Sequence, residues 1–141
     1  MMGASMNRID LQFLLLAALS LVVGIGLGIF MGITHDFSYV PVHAHVNLVG
    51  WASLGLFGLA YRAYPELASR KLAKVHVALA APSAILLPLG IYFSMTADSP
   101  LLAIGSSLIW FAGCLVFLYQ VASLMFGRRP VEIEPAAVPA E

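Results

Sequence analysis

Charge is what this chain lacks most. Only 10% of its 141 residues are Asp, Glu, Lys or Arg. Soluble domains carry about 25%, so this composition does not cover a surface facing water. Net charge is zero, which removes any general attraction for nucleic acid, and no basic patch reads as a groove binder. The single cysteine, Cys114, excludes an internal disulfide. Set in an apolar run, it reads as a small buried hydrophobe. No nucleophile constellation and no phosphate loop are present, and no catalytic residue is expected. The apolar runs hold no Asp, Glu, Lys or Arg at mid-depth, which argues against a proton pump or an ion-coupled transporter.

What is abundant is apolar length. Hydrophobic residues make up 61% of the chain and the mean hydropathy is +0.94. Together they indicate an all-α integral membrane protein with one domain. A bilayer core of about 30 Å needs about 20 helical residues. Four runs meet that length: about 11–33, 42–64, 75–95 and 100–126. The first is too long for a signal-peptide core, and no clear small-residue cleavage site follows it; it is expected to be retained. The transmembrane domain then covers residues 1–128. The tail, 129–141, contains Pro130, Pro135, Pro139, Glu132 and Glu134, and reads as disordered.

The cations set the topology. Arg8 precedes the first run. Arg62, Arg70, Lys71 and Lys74 lie between the second and third, and Arg128 and Arg129 follow the fourth. Threaded four times, the chain puts all of them on one side. The positive-inside rule makes that side cytoplasmic and places both termini there, in an inner (plasma) membrane. The other side has Asp36, Asp98 and His35.

On that outer side lies His43-Ala44-His45-Val46-Asn47-Leu48-Val49-Gly50-Trp51. Imidazole is a good ligand for iron, copper and zinc, and costly to leave unpaired near lipid. Pro41 suits the first turn of a helix, which puts His43 and His45 at its mouth. Two residues of α-helix turn about 200°, so the rings diverge. A pair that grips one ion is normally spaced i, i+4. This pair is a poor chelate and a good arrangement for serving two sites. Alternatively, the rings anchor the helix end among headgroups. Asn47, one turn below His43, is placed to bond a ring nitrogen or a neighbouring helix. Trp51 flanks the site or packs, and Gly50 lets a partner approach closely. His76 opens the third run at the cytoplasmic end and reads as an interfacial polar cap beside Lys74. Pro82 and Pro88 predict a bent third helix. Gly24-x-x-x-Gly28-x-x-x-Gly32 reads as a helix-packing face.

The phrase HAHVNLVGWASLGLFGLAYRAYP resembles the His-x-His element of haem-copper oxidase subunit I, and small stand-alone proteins described as cytochrome oxidase subunit I-like. The specific match covers about 22 residues, and the four-run layout extends it more loosely. The resemblance implies one four-helix arc of the twelve-helix subunit. It also implies that His43 and His45 face opposite flanks as metal ligands, each for a different haem. Asn47, Gly50 and Trp51 would then border the cofactor. No Cys-x-x-Cys-His occurs, so the haem would be b-type and not covalently attached. The chain departs from the family where oxygen chemistry is done. It has no His-His pair, no equivalent of the cross-linked tyrosine and no proton-channel acids, so it is not expected to be an oxidase on its own.

Three arcs of four helices equal three copies of this chain. The expectation is a homotrimer in the bilayer, with haem b shared between His43 of one copy and His45 of the next. The function expected is electron transfer, or redox or gas sensing, with a respiratory-chain partner possible. The alternatives are a copper-handling or oxidase-assembly membrane protein, and a structural helical module of a larger respiratory complex.

Overall fold

A computed structural model describes residues 8–127. Its elements follow from local chemistry. Helix α1 runs Ile9–Thr34 and stops where His35 turns left-handed, at φ 53°. The second apolar segment is helical from Val40 to Ala63 in three consecutive pieces. These are α2 (Val40–His45), a π-helical stretch (Val46–Ser53) and α3 (Leu54–Ala63). Pro41 lies in the first turn of α2, where its missing N–H costs nothing. Tyr64 is extended, at φ −125° and ψ 81°, as the residue before a proline tends to be, and that ends α3. Pro65 opens the short α4 (Pro65–Ala68). Helix α5 (Lys71–Ala97) continues through Pro82 and Pro88 and ends at Asp98, again left-handed, at φ 49°. Helix α6 runs Leu101–Phe126. Among the described residues there is no strand.

Helices α1, α5 and α6 are each long and apolar enough to cross a bilayer. Four spans were expected. The second segment differs because the π stretch divides it into pieces that are each too short to span. Arg128, Arg129 and the tail at 129–141 lie outside the described residues.

Helix α1 packs along the second segment, and α5 along α6. Glycine decides how closely. A Cβ at Gly50 would lie 2.6 Å from Ser20 Oγ. One at Gly58 would lie 2.8 Å from Leu14 Cγ and 3.0 Å from the Asp10 carbonyl oxygen. Gly90 sits directly on the backbone of Ala103. Gly26, Gly32 and Gly105 face open space. The expected Gly24–Gly28–Gly32 face is therefore used at its first two positions only.

Charge separates to the two ends. Arg62 pairs with Asp10 at 3.5 Å, and Arg70 donates to Ser123 Oγ. Both contacts lie at the end that also carries Arg8, Lys71 and Lys74. Tyr39 stacks on Tyr92 at 6.0 Å at the opposite end, with His35, Asp36, His43, His45 and Asp98. Large apolar side chains such as Leu15, Val22, Ile33, Leu108 and Leu118 point outward, towards lipid.

Gly90→Ala should be destabilising, because the new methyl meets backbone; overpacking of this kind costs about 1–3 kcal/mol. Gly26→Ala should be neutral or stabilising, since alanine is the better helix former. Thermal unfolding in mild detergent separates the two outcomes.

Candidate functional site

The N-terminal end of the second segment carries the expected ligands. His43 and His45 are both half-buried on α2, and their surroundings differ. Nδ1 of His45 lies 2.8 Å from the carbonyl oxygen of Pro41, one turn back. A carbonyl only accepts, so Nδ1 carries the proton and the Nε2 lone pair is free. Metal-bound histidines commonly hold their second nitrogen in this way. The His43 ring instead packs against α1. A Cβ on Gly28 would sit 3.2 Å from His43 Cε1, so Gly28 leaves room for the ring.

Asn47 closes the space below. Its Nδ2 donates to the His43 carbonyl oxygen at 2.8 Å and lies 3.4 Å from each ring nitrogen. The short bond goes to backbone. The amide also fills the room left at Gly24, where a Cβ would meet Asn47 Oδ1 at 2.5 Å. Gly50 is buried against Ser20, and Trp51 is 45% exposed. Both lie in the π stretch, whose i, i+5 geometry Ser53 repeats by donating Oγ to the Leu48 carbonyl at 2.7 Å. Single π turns recur at functional sites.

His35 is exposed at the end of α1. Beside it, hydrogen bonds from the Ser38 side chain and backbone amide hold the Asp36 carboxyl below its ordinary value. Among the described residues no three His, Cys, Asp or Glu side chains come together to hold a metal. An apolar cleft of about 470 Å³ lies beside the pair, between α1, α5 and the Val42–Val46 face. It is lined by no histidine.

His76 is not the interfacial cap expected from its place beside Lys74. It is fully buried. Phe13, Phe57 and Phe117 surround the ring with centroids at 5.0, 4.6 and 5.3 Å. Its Nδ1 lies 2.9 Å from the hydroxyl of Tyr61, which accepts from Gln120 Nε2 at 3.0 Å. The side chain turns inward because α3 and α6 supply that hydroxyl and amide, which lipid does not. His76 Nε2 and Gln120 Oε1 have no partner. Sequence reasoning missed Tyr61 and Gln120. The signal was there: Gln120 is an uncharged but strongly polar residue inside an apolar run.

His76 is remote from His43 and His45. It packs on Phe13, and His43 packs on Gly28. Fifteen residues of α1 separate these positions, about 22 Å at 1.5 Å per residue.

No family model, curated protein or solved structure matches this chain. Its site therefore rests on its own residues.

Tyr61→Phe should cost stability, because it orphans two buried polar groups at about 1–3 kcal/mol each. Tyr119→Phe, on the exposed face of α6, should cost nothing measurable. The midpoints of thermal unfolding in detergent report both.

Proposed function

We propose that the chain is a membrane haem b-binding protein, acting in electron transfer or in redox or gas sensing. The observation that carries this reading is the bond from His45 Nδ1 to the Pro41 carbonyl. It presents Nε2 as a ready ligand at the outer membrane boundary. The donor set fits the group: neutral imidazole is a standard axial ligand of haem iron. Bound there, haem would supply one-electron chemistry or a gas-binding position.

The chain's own residues do the positioning. Pro41 fixes the His45 tautomer and ring plane. Gly28 and Asn47 hold the His43 ring on a different flank. With the two rings on separate flanks, one copy would supply one ligand to each site. A second copy completes the pair, and three copies close the ring. Asn47 spends its short bond on the His43 carbonyl of its own segment, and it acts here by packing that segment on Gly24 of α1.

Taken as one helix, Val40–Ala63 is the fourth span. Both termini then lie in the cytoplasm of a cell with this protein in its inner membrane, and the His pair faces outward.

Haem-replete expression and purification in mild detergent should give a Soret band and sharp reduced α and β bands. His45→Ala should abolish them, and His43→Ala should broaden or remove them. A colourless protein overturns the haem reading, and bound copper in its place supports copper handling. Native mass measurement should give a trimer; a strict monomer rules out sharing between copies.

Topology has its own test. In a Cys114→Ser background, Ser38→Cys should label with an impermeant maleimide from outside intact cells. Ser69→Cys should label only after permeabilisation. The reverse pattern overturns the orientation.

A further inference from the structure

The buried cluster of Tyr61, His76 and Gln120 leaves a chemical remainder. Gln120 Nε2 donates to the Tyr61 hydroxyl oxygen. Tyr61 therefore turns its own proton to His76 Nδ1, 2.9 Å away. Imidazole with an accepting Nδ1 carries its proton on Nε2. Two groups are then unpaired and fully buried: the His76 Nε2–H donor and the Gln120 Oε1 acceptor. Turning the amide over reverses the chain. Tyr61 then donates to Gln120, His76 Nδ1–H donates to Tyr61, and Nε2 becomes an unpaired acceptor while the amide keeps an unpaired N–H. In both arrangements the remainder is one donor and one acceptor.

We propose that His76 and Gln120 hold one internal water in the core of the bundle. Water is the smallest molecule that both gives and takes a hydrogen bond, so it serves either arrangement. Buried waters in proteins occupy such places, between polar groups that otherwise lack partners. The aromatic enclosure of Phe13, Phe57 and Phe117 offers no other partner. Lipid on the far side offers none either. A cleft of about 300 Å³ opens at the same end, lined by Ile9, Gln12, Lys74, Val77 and Ala78. Ile9 and Val77 belong both to that wall and to the packed core, which separates the cleft from the cluster by one layer of side chains.

The test is solid-state NMR of the full-length protein in lipid bilayers, with ¹⁵N-labelled histidine. Magnetisation transferred from water should reach His76 Nε2 with the build-up of an immobilised water. Nε2 correlated only with aromatic ring protons overturns the proposal. Gln120→Leu should weaken the water signal several-fold while His76 keeps its Nδ1 shift. An unchanged signal overturns the shared site. Gln120→Met, of similar length, takes its place if Gln120→Leu fails to fold. None of these readouts depends on haem.

Discussion

Inside a bilayer, apolar side chains gain nothing by turning inward, because lipid is as apolar as they are. That constraint organises the structure. Many leucines, isoleucines and valines face outward, while the inside combines apolar side chains such as Ile9, Phe13 and Leu54 with groups that lipid cannot satisfy. Backbones must come close, and glycine lets them. Gly50 on Ser20, Gly58 on Leu14 and Gly90 on Ala103 bring α1 to the second segment and α5 to α6. Where the helices touch, polar side chains find partners: Tyr61, His76 and Gln120 join α3, α5 and α6.

The same packing treats the histidines differently. His45 has a backbone carbonyl within reach and remains half-exposed. His43 enters the space that Gly28 leaves. His76 is buried among aromatic rings and takes its bond from a phenol. One residue type thus serves as a half-exposed ring bonded to backbone, a packed ring and a core hydrogen-bond partner. Depth and neighbours select among these roles.

Parts of this were legible from residues alone. Arg8, Arg62, Arg70, Lys71 and Lys74 gather at one end because α1 and the helical second segment run out and back between Arg8 and Arg62. Pro41 opens a helix, and His35 and Asp98 lie where helices stop. The two-residue spacing of His43 and His45 gives the rings different neighbours, Gly28 for one and the Pro41 carbonyl for the other. The π stretch was not legible. Val46–Ser53 contains no proline, and its composition suits an ordinary α-helix. A π turn is a matter of which carbonyl an amide finds, and the packing of Gly50 on Ser20 and Asn47 on Gly24 bears on that choice. The burial of His76 was equally hidden. Its neighbour Lys74 suggested an interface, but the partners come from residues fifteen positions before it and forty-four after.

The sequence by itself determined the solvent. With so little charge and runs this long, only lipid suits the chain. It also determined the polarity of the bundle, because cations are cheap at one end of each helix and absent from the other. The tertiary structure decided what each polar side chain does. Whether His43, His76, Asn47 or Gln120 meets a carbonyl, a glycine gap or a phenol depends on which helix lies opposite. That is a contact between distant parts of the chain, which no local pattern encodes.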